Sequence, residues 1–475
     1  MNTLKTPLTI EKLLSPQYKR STGDRKISQF LVWVESAGSF YLFHTLTGGL
    51  YVLSPKEADV YNSLDILTIN RAAHRSGINV LHSISTNAQS AEEWISALGK
   101  PLYNALCTAH FLIPADSDEA YEYHYLLKLE KLLHPSSEGY DHFTILPTTA
   151  CNARCFYCFE NGYRSVSLNV QQVEGICSMI ERTRSAGTVH LRWFGGEPLL
   201  GTPSIRKICQ YLSERTIPFD SYIVTNGLLF TPSLVSEAVE SWNLHSAQIT
   251  LDGTQKEYER RKAYVPSMLT AGGTSPFQIV LQNLHHLHDA GVRLVLRLNA
   301  DPRNVHDLSL LLQQLTEEFP DRRNIKIYAS PLFEEYSVAH EDPLALVRQC
   351  LDLNLQAHQA GFKTNHPYSL DAFRTHMCMA DDVNSIVISA DGRLTHCEDC
   401  RENTFFGNCT EGITDTELYG QLRNPIDRHT ACEKCAFLPR CTDYPNCPHE
   451  KPESICKEII ALRLQYSLNL FLSTI

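Results

Sequence analysis

Residues 148–160 read TTACNARCFYCFE and place Cys151, Cys155 and Cys158 at C-x3-C-x2-C spacing, so that one loop can turn three thiols toward one point. Thiols act as nucleophiles, disulfide partners or metal ligands, and their distribution separates these roles. Of sixteen cysteines only Cys107 precedes Cys151, whereas nine lie between Cys378 and Cys456. The first thirty residues lack the apolar core of a signal peptide, and no stretch reaches the ~18 apolar residues of a membrane span. The expected compartment is therefore the cytoplasm, where grouped thiols stay reduced and point to metal rather than to disulfides. Iron–sulfur clusters are held by thiolates, normally four per cubane, so three leave one iron open. An open position is what distinguishes a reactive metal from a structural one, and a molecule with an amine and a carboxylate could chelate it. A structural zinc site completed by a thiol from elsewhere is the alternative on these residues alone.

The elements around this loop follow one rhythm. HFTIL (142–146) leads into the cysteines, and VHLRWF (189–194), YIVT (222–225), AQITL (247–251), VRLVLRL (292–298) and NIKIYA (324–329) continue a series of strands, with helical pattern between them, as over 169–185 and 203–215. Six strands alternating with helices predict an α/β fold with a parallel sheet, open or curled into a partial barrel. Chemistry in such sheets collects at the carboxyl ends of strands. There the first strand runs into the cysteines, the second into GGEP (195–198), the third into TNG (225–227) and the fourth into TLDG (250–253), while the fifth carries RLN (297–299). Gly195 and Gly196 let backbone approach a ligand, and Glu197 can accept from an ammonium.

A chain of 475 residues predicts two or three domains. Its formal charge, 42 − 53 = −11, argues against a general binder of nucleic acid or anionic membrane and leaves small molecules or proteins as partners. Before residue 140 the pattern changes. FYLFHTLTGGLYVLS (40–54) reads as a hairpin turning at TGG (47–49), HFLIP (110–114) as a short apolar piece, and 117–134 as a helix linking a small α+β domain to the sheet.

CNARCFYC after the first strand, with GGEP after the second, resembles the radical S-adenosylmethionine (SAM) enzymes over roughly residues 142–335. The resemblance implies a partial (β/α)6 TIM-like barrel in which Cys151, Cys155 and Cys158 hold a [4Fe-4S] cluster. SAM chelates the fourth iron, and a one-electron donor such as flavodoxin or ferredoxin drives its cleavage to a 5′-deoxyadenosyl radical. On the same resemblance Tyr157 lines the adenine, Gly195, Gly196, Glu197 and Pro198 meet the methionine ammonium, and Thr250, Asp252, Arg297 and Asn299 contact the remainder of SAM. Thr250, Arg297 and Asn299, polar residues at strand ends, could equally just satisfy backbone.

Beyond residue 370, C-x13-G-x4-C (Cys378, Gly392, Cys397) precedes C-x2-C-x5-C-x5-C-x8-C (Cys432, Cys435, Cys441, Cys447, Cys456). This resembles the SPASM extension with its two auxiliary clusters, departing from it in having five residues rather than three between Cys441 and Cys447. The resemblance assigns Cys432, Cys435, Cys441 and Cys456 to a distal cluster and Cys378, Cys397 and Cys447 to a proximal one. Cys400, Cys409 or an open iron would complete the latter. Zinc knuckles are the alternative for C-x2-C pairs. Cys107, Cys177, Cys209 and Cys350 read as inert buried thiols. Moving hydrogen on a substrate requires a proton to move, and Glu398 and Asp399, in CEDC where the resembled family often places its carboxylate, are the candidate acid–base groups; solvated loop residues are the alternative for both and the plainer reading of Asp399.

The expected organisation is thus an α+β docking domain (1–135), a radical SAM core (136–335) and a SPASM domain (336–475). The resemblance implies a maturase that abstracts hydrogen from a ribosomally made precursor peptide and installs a crosslink, thioether, epimerised centre or oxidation. Anaerobic sulfatase-maturase-like oxidation of Cys or Ser is the alternative reaction, and a metal-stabilised peptide-binding scaffold without turnover the alternative class. The first domain would recognise a leader or simply cap the barrel.

Overall fold

The computed structural model describes residues 23–36, 39–58, 80–82, 88–133, 139–266, 273–332, 343–365, 379–380, 382–400, 402–423, 430–433, 435–441 and 453–472. Two compact units form. One comprises Met1–His134, His366–Met377 and Asp427–Ile475, the other Pro135–Asn365 and Cys378–Ile426. Residues 336–475 are thereby shared between the two. Among the described residues no helix is long and apolar enough to cross a membrane.

In the first unit β1 (Arg25–Ile27) is followed by an antiparallel sheet of β2 (Leu31–Ser36), β3 (Ser39–His44), β4 (Leu50–Leu53) and β5 (Val80–His82), in the order β4-β3-β2-β5. The hairpin expected over 40–54 is β3–β4, with Phe40 opposite Leu53 and Phe43 opposite Leu50. β6 (Leu112–Pro114) pairs with β1, and helices Ala91–Leu98 and Lys100–Thr108 bury Trp94, Leu102 and Leu106 with Trp33 and Leu42 of the sheet. The first of these helices carries a capping box between Ser90 and Glu93, which satisfies donors its first turn would otherwise leave open.

The second unit is built on β7 (His142–Thr148), β8 (Val189–Gly195), β9 (Phe219–Thr225), β10 (Leu244–Leu251), β11 (Arg293–Ala300) and β12 (Ile325–Pro331), all parallel and adjacent in chain order. These are the six strands expected from the sequence. Beside β7, β13 (Ser385–Ile388) adds in parallel, and β14 (Arg393–Thr395), β15 (Gly407–Asn408) and β16 (Gly412–Ile413) follow antiparallel, giving ten strands. Side chains alternate between faces along each strand. On β8, Leu191 and Trp193 join the core with Ile176, Ile205 and Ile208 of the flanking helices. Arg192 and Phe194 therefore occupy the face turned away from the helices, where the parallel sheet carries polar groups beside a small apolar cluster of Leu146, Phe194 and Val387.

Candidate active site at the carboxyl end of the sheet

The cysteine loop leaves β7 at Thr148 and is fastened along its length. Arg154 N–H donates to the Lys262 carbonyl (2.8 Å) and Val265 N–H to that of Asn152 (2.8 Å), while Asn226 Nδ2 donates to Asn152 Oδ1 (2.6 Å). The thiols of Cys151, Cys155 and Cys158 are all partly buried. Burial pushes the Cys151 thiol up to about 12 against a hydrogen bond from Ala153 N–H, with Glu197, Cys155 and Cys158 pushing the same way. Burial also raises that of Cys158, aided by Glu160 and Cys155. Cys151 and Cys158 are thus disfavoured as free thiolates, and with Cys155 within electrostatic reach of both the trio suits a cationic cluster that ionises thiols on binding. Among the described residues no three His, Cys, Asp or Glu side chains are gathered as for a single ion.

GGEP serves the protein before it serves a ligand. Gly196 N–H and Glu197 N–H donate to the carbonyls of Thr148 (3.1 Å) and Ala150 (2.8 Å). A Cβ on Gly195, whose φ is +118°, would lie 2.4 Å from the Thr148 oxygen, and one on Gly196 2.4 Å from that of Ala150. The glycines thus let the cysteine loop lie against β8. Glu197, fully buried, accepts from Leu199 N–H (3.2 Å), Thr225 Oγ1 (2.7 Å) and Asn226 N–H (2.9 Å), so its carboxylate braces β8 to β9. Burial raises its pKa against those three donors. Pro198 opens the short 3-10 turn that follows.

Tyr157, Thr250, Asp252 and Asn299, anticipated as one rim, meet around Lys262, whose role the sequence reading missed. Lys262 Nζ donates to Thr250 Oγ1 (2.6 Å) and Tyr157 Oη (3.1 Å) and stands 3.1 Å from Asp252 Oδ2. Tyr157 Oη donates to the same oxygen (2.6 Å), and Asn299 Nδ2 donates to Asp252 Oδ1 (3.0 Å). Burial works against the Lys262 ammonium, but Asp252 and then Tyr157 outweigh it and hold its pKa above the ordinary lysine value.

Below this rim a polar band crosses the sheet face. Tyr222 and Tyr328 both donate to Gln248 Oε1, at 3.0 and 3.2 Å. Arg192 stands beside Tyr222 in register, and Arg297 beside Tyr328. Glu398 pairs with Arg192 (Nη1–Oε2, 3.0 Å) and so lies against this band. Burial, then Glu160, Cys397, Asp391 and last Asp399 push the Cys400 thiol up to about 12. Burial and then Glu398 push the Glu160 carboxyl up to about 7. The Nε atoms of Arg192 and Arg297 and Oε1 of Glu160 are buried without a hydrogen-bond partner. Arg192 and Glu160 were not anticipated; an arginine in the middle of an apolar strand, VHLRWF, was the signal available.

Of the remaining cysteines, Cys378 and Cys447 lie outside the described residues. Cys177, Cys209 and Cys350 are buried as expected, but Cys107 is only partly so. In the first unit Cys432 and Cys435 pack on Phe30, Ile113 and Tyr123, and hydrogen bonds from Cys435 N–H to the Cys432 carbonyl (2.9 Å) and from Cys441 N–H to that of Leu438 (3.3 Å) shape their loop. Gln29 Nε2 and Thr45 Oγ1 donate to the carbonyls of Glu433 (3.1 Å) and Ala436 (2.5 Å). Cys456 lies on helix Glu453–Leu472.

A parallel six-stranded partial barrel with a thiol triad at its first carboxyl end defines a class, and residues 145–314 match the model of the radical SAM superfamily. The chain carries a radical SAM domain, an enzyme domain whose family uses SAM and a [4Fe-4S] cluster. Fe-coproporphyrin III synthase of Methanosarcina barkeri is 24% identical over 221 residues, covering 45% of this chain and 52% of that protein. The radical SAM cyclopropyl synthase TigE of Paramaledivibacter caminithermalis is 25% identical over 223 residues, covering 43% and 44%. The chain thus spans about half the length of the curated relatives it matches. In fold it resembles anSMEcpe solved with bound AdoMet and Cp18Cys peptide, with a TM-score of 0.51 at 15% identity, covering 70% of this chain and 98% of that one.

Proposed function

We propose that this protein is a radical SAM peptide maturase that acts on a ribosomally made precursor and installs a crosslink, thioether, epimerised centre or oxidation. The observation that carries this reading is the under-satisfied polar band beside the cysteine loop, on a fold shared with a protein solved with AdoMet and a peptide. Cys151, Cys155 and Cys158 would hold the [4Fe-4S] cluster. When bound, cluster and SAM supply one-electron cleavage to a hydrogen-abstracting 5′-deoxyadenosyl radical. The chain's residues do the rest. The Lys262 network fixes Tyr157 and Asp252 where SAM would lie, Arg297 and Arg192 line the sheet face, and Glu398, held by Arg192, accepts or returns the proton at the substrate.

Auxiliary [4Fe-4S] centres, one using Cys397 and another Cys432, Cys435, Cys441 and Cys456, belong to this reading, as does a flavodoxin or ferredoxin donor. The antiparallel sheet of the first unit, with β4 and β5 at its edges, would take a leader as an added strand. The test uses anaerobically reconstituted full-length protein with dithionite, SAM and the peptides encoded beside its gene, alongside Cys- and Ser-containing sulfatase-type peptides. Release of 5′-deoxyadenosine with a mass change in an encoded peptide is expected. Formylglycine in the sulfatase-type peptides alone would replace this reading with the sulfatase-maturase one, and zinc-loaded protein without SAM cleavage would replace it with a scaffold.

A further inference from the structure

Two cysteines near Cys397 in sequence, Cys400 and Cys409, are equal candidates to complete its metal centre, and the fold sends them in opposite directions. β14 turns back through β15, with Arg393 opposite Asn408, and Cys409 N–H then donates to the Gly392 carbonyl (2.8 Å). This carries Cys409 into the core on the helix side, where it is 2% exposed and its Sγ donates to the Gln172 carbonyl (3.7 Å) of helix Val170–Thr183. The space around that sulfur is closed. A Cβ on Gly392 would lie 3.1 Å from it and one on Gly175 3.2 Å, so both glycines are what admits the sulfur itself. A thiolate-bound metal sits about 2.3 Å from its sulfur and needs further ligands beyond, for which this packing has no room.

Cys400 keeps the company expected of a ligand. Its Sγ is 3.8 Å from the Cys397 carbonyl, so the C-E-D-C turn closes on itself. The side chain packs in a small cluster with Leu146 of β7, Phe194 of β8, Val387 of β13 and Met379, the chain neighbour of Cys378. That places it at the edge of the sheet face that bears Arg192 and Glu398, with Glu160 within electrostatic reach.

We propose that Cys400, and not Cys409, is a ligand of the metal centre to which Cys397 belongs. This rests on the reading above that such an auxiliary centre exists. A C-x2-C pair chelates one centre from a single turn. Cys397 and Cys400 would thus supply two ligands from the one C-E-D-C turn. Glu398, between the two chelating cysteines, is then left free to face the substrate.

The test removes the SAM cluster first, by Cys151→Ala/Cys155→Ala/Cys158→Ala, so that only auxiliary metal is counted. In that background Cys400→Ala, Cys400→Ser, Cys409→Ala and Cys409→Ser are reconstituted anaerobically. Iron, zinc and acid-labile sulfide per chain are measured, with the EPR spectrum after reduction and size-exclusion behaviour. Both Cys400 variants are expected to lose one to four irons per chain while both Cys409 variants keep the parent's count. Any cluster retained in Cys400→Ala has one iron position opened and should change its EPR signal on adding cyanide beyond any change in the parent's. Parent-like iron and a parent-like response to cyanide in both Cys400 variants overturn the proposal, as does iron loss in monodisperse Cys409→Ser. A parent background with no iron at all overturns instead the auxiliary-centre reading on which the proposal stands.

Discussion

Two polar clusters share the sheet of the second unit, and they are built on opposite principles. Around Lys262 each ammonium hydrogen has an acceptor and each Asp252 oxygen a donor, and Asn304 Nδ2 closes the surrounding loop by donating to the Asp252 and Asn299 carbonyls (both 2.8 Å). Around Arg192 and Glu398, Nε of the arginine and Oε1 of neighbouring Glu160 are buried with nothing to bond. An unsatisfied buried polar atom costs roughly 1–3 kcal/mol. On the function proposed above, the completed cluster is a preformed support, whereas the incomplete one has polar atoms left to meet a ligand.

The largest effect that tests this contrast is on product. Glu398→Gln should lower peptide modification by about 10²–10⁴-fold, the usual contribution of a positioned acid or base. SAM cleavage without peptide should persist, and unfolding free energy in urea should move by less than about 1 kcal/mol. Modification at wild-type rate would break the contrast from the open side. Next comes Lys262→Met, which leaves Asp252 buried and unpaired and should destabilise the protein by about 3–5 kcal/mol. Adding Asp252→Asn should restore much of that loss. A Lys262→Met protein as stable as wild type in guanidinium would break the contrast from the closed side.

A third cluster, in the first unit, sharpens the comparison because it is completed without a cation in direct contact. Thr47 N–H donates to His44 Nδ1 (3.2 Å), so His44 Nε2 donates to Ser28 Oγ (2.9 Å), and Ser28 Oγ donates to Glu119 Oε1 (2.5 Å). Gln29 N–H donates to Glu119 Oε2 (2.7 Å). Burial pushes the Glu119 carboxyl from 4.5 to about 7, Ser28 and Gln29 pulling down, Glu122 pushing up and Lys26 pulling down. Between those pH values the folded state holds a proton that the unfolded state has released. Stability from this group is therefore complete below pH ~4.5 and lost as pH rises through ~7, by about 3 kcal/mol in all. The difference in unfolding midpoint between wild type and Glu119→Gln, followed from pH 4.5 to 8, should show that slope in wild type alone. Parallel curves would mean the cluster tolerates the charge.

Much of this was legible in the sequence wherever one strand and its following turn sufficed. The six parallel strands, the cysteine loop and the convergence of Tyr157, Thr250, Asp252 and Asn299 are each local periodicity plus the rule that strand ends share a rim. What was not legible depends on register between distant segments. Arg192 meets Glu398 across 206 residues because β13 pairs with β7, and no pattern in either stretch announces that pairing. Glu197 read only as a ligand for an ammonium because its neighbours are glycines, and the sequence did not show that those glycines admit backbone or that its carboxylate accepts from Leu199, Thr225 and Asn226. Cys400 and Cys409 differ by nine positions in sequence, and only the turn from β14 to β15 separates their surroundings.

The hydrogen bond from Thr45 to the Ala436 carbonyl joins positions 391 residues apart, and that from Gln29 to Glu433 positions 404 apart. During synthesis the first unit cannot be completed until residue 436 has left the ribosome, by which time every strand of the ten-stranded sheet, the last ending at Ile413, has left as well. Domains generally fold in the order they emerge, and closing a long loop is entropically slow. The unit of Pro135–Asn365 and Cys378–Ile426, which ends before the other does, is therefore the one expected to mature first. The opening segment waits with Phe30, Tyr123 and Leu126 uncovered for the cysteine-bearing turn that covers them. On the metal-binding reading proposed above, this order would give the first cysteine loop a folded setting while the last cysteines are still being made.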